Sequence, residues 1–214
     1  MWVNKTSAQT RGFKEGGKIG MTIPDVLDHI GLNESAKAEE LEKTEKNDQE
    51  AIINNCQSTH TQIMLGAKGF ICVFQRIVTP LRGKNKPIAL STVSLELTKF
   101  LNLFFLLKLY KKYYKNGDTI RNPEALKKFL QYLKFDKLFV EALSEMELII
   151  LLAMVRDSRH KQAAELVTTF KQKPCSSRTI STYVDLIKGK LKPHIDLNMV
   201  LSNLRDYYQL QPAY

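Results

Sequence analysis

One short segment places hydroxyl side chains and a cation at the start of an amphipathic pattern: SSRTISTYVDLIKGKL, from Ser176 to Leu191. Its first turns carry five such residues: Ser177, Arg178, Thr179, Ser181 and Thr182. Serine and threonine stabilise a helix interior poorly, because their hydroxyls compete for backbone hydrogen bonds. The same side chains are suited to contacts with phosphates and base edges. The segment therefore predicts a helix that contacts a nucleic acid.

The apolar positions of this segment are spaced like one face of a helix, at i, i+4, i+7 and i+11: Ile180, Val184, Ile187 and Leu191. The opposite face is polar: Arg178, Ser181, Thr182, Asp185 and Lys188. We expect the first set to pack inward and the second to meet a partner.

Other helices surround this one in the sequence. Ser144 with Glu147 forms a capping-box pattern that starts a helix over 143–155. The run KQAAELVTTF, from Lys161, predicts a second helix in which Ala163 and Ala164 allow close packing. A last helix is predicted to bury four residues: Leu197, Val200, Leu201 and Leu204. This order predicts a helix-turn-helix, with a winged helix of the replication-initiation type as the alternative.

The carboxyl-terminal third resembles the LuxR or RcsB type of bacterial regulator. The resemblance rests on Leu143, Ser144, Glu147, Ile150 and Leu151, on KQAA at 161–164, and on RTISTYVDLIKGKL at 178–191. It implies DNA contacts at five positions: Lys161, Thr179, Ser181, Thr182 and Lys190.

The chain departs from that pattern in three places. RDSRH at 156–160 stands where the family usually has a glycine turn, and about six additional residues separate KQAA from the third helix. Leu186 stands where the family often has asparagine. A receiver or sensor domain is not recognisable in residues 1–142.

The charge indicates a polyanionic partner. The chain has 214 residues, a net charge of +10 and a pI near 9.4. Residues 68–137 carry fifteen lysines or arginines against four acids. Lysines alternate here with Tyr110, Tyr113 and Tyr114, either as a phosphate-binding and base-stacking surface or as the solvated end of a helix. The predicted secondary basic patch is Lys108, Lys111, Lys112, Lys115, Lys127 and Lys128.

The helical signals predict an all-α protein. The predicted parts are a flexible basic arm at 1–21, a short helix and charged linker at 22–50, a basic helical domain at 51–142, and the helix-turn-helix domain at 143–214. Within the linker, Asn33 to Glu50 is either an exposed helix or disordered. Ile63 to Val78 is either a strand or a buried helix. Further helices are expected from Ser91 or Ser94 to Asn116-Gly117, and from Asn122 with Pro123 in its first turn.

No enzymatic, metal or cofactor site is predicted. Cys56, Cys72 and Cys175 have neither disulfide nor zinc spacing, which fits a reducing compartment. Asp157, His160 and Cys175 lack a nucleophile elbow and a glycine loop for an oxyanion. The apolar run FLNLFFLLKLY, Phe100 to Tyr110, is shorter than the ~20 residues of a membrane span and is expected to be a buried helix. A cytoplasmic protein, associated with the nucleoid if bacterial, is expected.

These observations favour sequence-specific binding of double-stranded DNA by a transcription regulator, with the helix at 177–191 in the major groove. The expected DNA-binding residues are Lys161, Ser177, Arg178, Thr179, Ser181, Thr182, Tyr183, Lys188 and Lys190. Lys161, Arg178 and Lys190 would contact phosphates. A homodimer is expected, because one short helix contacts too few base pairs for selectivity, and FLNLFFLLKLY is apolar enough to join two copies. The alternative is a helical interaction module whose basic surface binds an acidic protein or a membrane surface.

Overall fold

The computed structural model describes residues 34–66, 69–83, 87–114 and 123–208, with side chains as far as 205. The described residues form seven α-helices and three β-strands. In chain order these are α1 Glu34–Ile53, β1 Ser58–Leu65, β2 Ile71–Arg82, β3 Pro87–Glu96, α2 Leu103–Tyr113, α3 Pro123–Tyr132, α4 Glu145–Arg156, α5 His160–Lys171, α6 Ser177–Lys190 and α7 Leu197–Tyr208. The predicted arm at 1–21, the short helix at 22–31 and the predicted end at Asn116-Gly117 lie outside the described residues.

The helices and strands fall into two compact units. The first contains α1 and the three strands, together with Tyr113 and Tyr114. The second begins at Phe100 and contains most of α2 and all of α3 to α7.

The all-α prediction is wrong, because the first unit contains an antiparallel sheet in the order β1-β2-β3. Its register pairs Gln62 with Phe74 and Ile77 with Val93. Of the two alternatives for 63–78, the strand is confirmed. The helix expected to start at Ser91 or Ser94 is also wrong, since both serines lie in β3. The residues of β3 are largely β-branched or small, which suits a pleated strand better than a helix.

The charged segment after residue 33 is a helix, α1, and one side of it is buried against β1 and β2. The Glu40 carboxylate, fully buried, accepts a hydrogen bond from the Ile63 backbone N–H at 3.0 Å and another from the Tyr113 hydroxyl at 3.2 Å. Asp48 pairs with Arg76 of β2 at 2.6 Å. The charges on this side of α1 therefore stabilise its contact with the sheet.

His60 lies in β1 directly opposite Arg76 of β2. Burial lowers the pKa of the His60 imidazole, and the positive charges of Arg76 and Lys43 lower it further, against an opposing effect of Asp48. Neither imidazole nitrogen has a hydrogen-bond partner among the described residues. The folded state therefore disfavours the protonated imidazole.

We predict that this histidine makes stability fall on acidification. A group whose pKa is lowered on folding loses stability as the pH falls through its unfolded value, which is about 6.5 for histidine. Urea unfolding at pH 7.5 and 5.5 should show a smaller acid-dependent loss for His60→Gln than for the wild type. The exposed His194, replaced by asparagine as a control, should leave the loss unchanged. Equal losses in all three proteins would contradict the assignment.

In the second unit the predicted helices are confirmed. α3 starts at Pro123, and Ser144 and Glu147 form the capping box of α4, with Ser144 N–H donating to Glu147 Oε2 at 2.6 Å. The predicted core of α7 is buried: Leu197, Val200, Leu201 and Leu204. The apolar run near 100–110 forms α2, which buries most of its leucines. Among the described residues, none of the helices has the length and apolar character to cross a membrane.

Candidate nucleic-acid interface

Helices α4, α5 and α6 pack against one another, and α7 packs against α4. α4 is apolar on nearly every side and is buried from Glu147 to Val155. α5 approaches its neighbours through Ala163 and Ala164, whose small side chains are buried. Ile180, Val184 and Ile187 form the buried side of α6, as their spacing predicts, whereas Leu191 is half-buried and follows the helix.

The turn between α5 and α6 is held by local hydrogen bonds. Gln172 takes the left-handed conformation (φ 54°, ψ 33°) and ends α5. The Cys175 backbone N–H then donates to Thr168 Oγ1 at 2.9 Å. Ser176 caps α6 by accepting from the Thr179 backbone N–H at 3.1 Å. α6 therefore starts at a defined residue next to α5.

The other end of α6 is attached to the start of α4. The Lys190 ammonium donates to Glu147 Oε2 at 2.8 Å and to the Ala142 carbonyl at 3.2 Å. Two backbone hydrogen bonds flank this pair, Val140 N–H to Lys190 O at 2.8 Å and Lys192 N–H to Leu138 O at 3.0 Å. Both ends of α6 are therefore fixed within this unit.

Glu147 is only 3% exposed. Burial raises the pKa of its carboxyl group, but the hydrogen bonds from Lys190 and Ser144 outweigh burial and hold that pKa below its usual range. Glu147 is therefore the charged partner of Lys190 at neutral pH.

The side of α6 opposite its buried residues is exposed, and we name it the outward face. It comprises Arg178, Thr182, Asp185, Leu186 and Gly189. Arg178 and Thr182 are one turn apart, and the Thr182 hydroxyl donates to the Arg178 carbonyl at 3.1 Å while its oxygen can still accept. The predicted hydroxyl-bearing start of α6 thus does not point into the core.

The remaining predicted residues of α6 lie on its flanks. The Ser181 hydroxyl lies 2.8 Å from His160 Nδ1 and donates to the Ser177 carbonyl at 3.2 Å. Thr179 and Tyr183 are half-buried. Ser177 and Lys188 are exposed, and the Lys188 ammonium is 3.8 Å from Asp185.

Lys161 is exposed in the first turn of α5. Lys190, by contrast, is engaged with Glu147, so the two lysines named by the resemblance have different surroundings. Two features of the outward face were not predicted from the sequence, Gly189 and the exposure of Leu186. A projection of α6 around its axis, started from the three buried positions, shows both on the outward face.

The residues of the predicted secondary basic patch have varied partners. The Lys108 ammonium lies 5.0 Å from the centre of the Phe170 ring, and Lys111 pairs with Glu145 at 2.8 Å. Lys112 and Lys127 are exposed, Lys128 is half-buried, and Lys115 lies outside the described residues. Two of these lysines therefore hold helices of the second unit together.

The winged-helix alternative can be compared with the geometry. The described chain after α6 forms a turn and then α7, where a winged helix would have a β-hairpin. In the ranges that the structure covers, no three His, Cys, Asp or Glu side chains are grouped as metal ligands.

We predict that Lys190→Met lowers the free energy of unfolding by about 3 kcal/mol, because the buried Glu147 carboxylate loses its cation. Lys188→Met removes the same charge from the exposed side of α6 and should change stability by less than about 0.5 kcal/mol. Adding Glu147→Gln to Lys190→Met should recover part of the loss. Urea unfolding measures all three variants. Equal effects of the two lysine substitutions would contradict a structural role for Lys190.

No protein-family model matches the chain, and no curated protein matches it. The solved structures similar to it include two of VqmA. The first is described as the Vibrio cholera VqmA-Ligand-DNA complex, at 13% identity and a TM-score of 0.45, covering 99% of this chain and 80% of that one. The second is described as the Vibrio cholerae VqmA dimer in the absence of target DNA, in a study of LuxR-type receptors, at 12% identity and a TM-score of 0.36, covering 99% and 84%. Similarity at this level assigns no function. Any function proposed for this chain must rest on its own residues.

Proposed function

We propose that this protein binds double-stranded DNA with sequence preference, as a transcription regulator, by placing α6 in the major groove. The main support for this proposal is that Arg178 and Thr182 are exposed at the start of α6, whose other side packs against α4 and α5. A helix with polar donors at its exposed start, supported by a preceding helix, has the geometry of a helix-turn-helix reader.

The contacts divide by position. Lys161 at the start of α5 and Arg178 at the start of α6 bind phosphates, which supply affinity without sequence preference. Thr182 contacts base edges from the outward face, with Ser177, Thr179, Ser181 and Tyr183 beside it. Lys188 adds a cation on the same helix. Lys190 acts mainly by positioning α6, because its ammonium group is already bound to Glu147.

A dimer would double the number of base pairs contacted. A protein with two-fold symmetry binds two half-sites, about 34 Å apart when they are one helical turn apart. In the run from Phe100 to Tyr110, expected to join two copies, the four leucines of α2 and Tyr110 are buried, whereas Phe100 and Phe105 are exposed. We also propose a cytoplasmic location, at the nucleoid if the host is a bacterium.

The rival is a helical interaction module for an acidic protein or a membrane surface. The exposure of Lys112 and Lys127 in the predicted basic patch favours it, since cations at a surface attract an acidic partner. If this alternative is correct, the protein has no preference among DNA sequences, and substitutions on α6 cannot change one.

We predict that Thr182→Ala reduces the preference for a selected site over random duplex by about tenfold, because one base-edge contact contributes ~1–3 kcal/mol of discrimination. Ser202→Ala on α7 removes another exposed hydroxyl and serves as the matched control. Competition binding at fixed salt measures the ratio. A ratio unchanged in Thr182→Ala would contradict base contact by this residue.

We predict that Lys161→Ala weakens binding to every duplex alike and reduces the slope of log affinity against log salt by about 1. The exposed Lys46 of α1, replaced by alanine, removes the same charge from a helix outside the second unit. It should leave the slope nearly unchanged. Titrations between 50 and 200 mM salt, about the range in which such slopes are measured, compare the two variants. Equal slopes would show that Lys161 contacts no phosphate.

A further inference from the structure

Leu186 is a large apolar side chain on the outward face of α6 and is 49% exposed. The adjacent Ile187 is almost completely buried, so the core position of this turn is already occupied. About half of the Leu186 side chain is therefore left in solvent although the core position of this turn is filled. Thr182 lies one turn before Leu186 on the same outward face. Leu186 therefore belongs to the surface that we propose for DNA binding.

Gly189 leaves Leu186 uncovered on one side. Residues three apart on a helix are neighbours, and glycine has no side chain to cover the leucine. A Cβ built at Gly189 meets no atom within 4 Å, so no contact within the described residues requires a glycine there. Gly189 is the second-last residue of α6. An approaching surface accounts for both features, because it buries the leucine and needs the space at the glycine.

The spacing along α6 fits a groove. Leu186 lies eight residues after Arg178, which is about 12 Å along the helix axis. A helix lying along the major groove can present both positions to the same DNA. The edge of thymine in that groove carries a C5-methyl group, which apolar side chains contact.

We propose that Leu186 contacts the methyl group of a thymine and so determines sequence preference at that base pair. This inference rests on the proposed function. It adds that the second half of α6 selects a thymine. Uracil pairs like thymine but lacks the methyl group, so replacing one by the other isolates the contact.

The experiment begins with a duplex selected from a random library by the full chain. Each thymine of the selected site is then replaced by uracil in turn, and affinities are measured by fluorescence anisotropy. At one position of each half-site, uracil should weaken wild-type binding about fourfold, the effect of one buried methyl group. Leu186→Ala should bind the thymine and uracil duplexes equally. Met199→Ala, an exposed apolar control on α7, should keep the fourfold difference.

Two results would overturn the inference alone: uracil tolerated at every position by the wild type, or an undiminished uracil effect in Leu186→Ala. If the wild type selects no sequence from the library, the proposed function fails and this inference fails with it.

Discussion

The ion pair between Lys190 and Glu147 joins the last turn of α6 to the first turn of α4, and with two backbone hydrogen bonds it fixes this end of α6. One buried carboxylate accepts from Lys190 and also from the Ser144 backbone, so it defines the start of one helix and the end of another. At the opposite end of α6, Ser176 and the Cys175 to Thr168 hydrogen bond define its first turn. With both ends held, the helix presents one set of side chains outward. A surface that selects a DNA sequence needs this preorganisation, because every side chain ordered on binding reduces the affinity.

The helices of the second unit could be predicted from sequence because their signals are local. The Ser144 and Glu147 pair, Pro123 in a first turn, and the spacing of Ile180, Val184 and Ile187 each lie within a few turns of the helix that they define. The sequence could not show which hydroxyl and ammonium groups of α6 already have a partner within the protein. Ser181 lies against His160, 21 positions earlier, and Lys190 pairs with Glu147, 43 positions earlier. Such partners are known only when the helices are packed.

Local signals predicted the sheet of the first unit less well than they predicted the helices of the second unit. Ser91 and Ser94 are residue types that cap helices, but in β3 they occupy strand positions opposite Thr79 and Arg76. The backbone N–H and C=O groups of these serines are satisfied by pairing with β2, and that pairing depends on residues ten or more positions away. α1 shows the same limit. Its charges suggested an exposed helix or a linker, while the groups that bury Glu40 lie on β1 and at Tyr113.

We propose that α6 selects a DNA sequence through its outward face. The most direct test of this proposal is selection of duplexes from a random library by the full chain, followed by sequencing of the bound fraction. We expect enrichment of one motif whose bound fraction falls when the outward face is changed by Arg178→Ala together with Thr182→Ala. Retention of all duplexes in proportion to their abundance, with the same binding by wild type and variant, would contradict it.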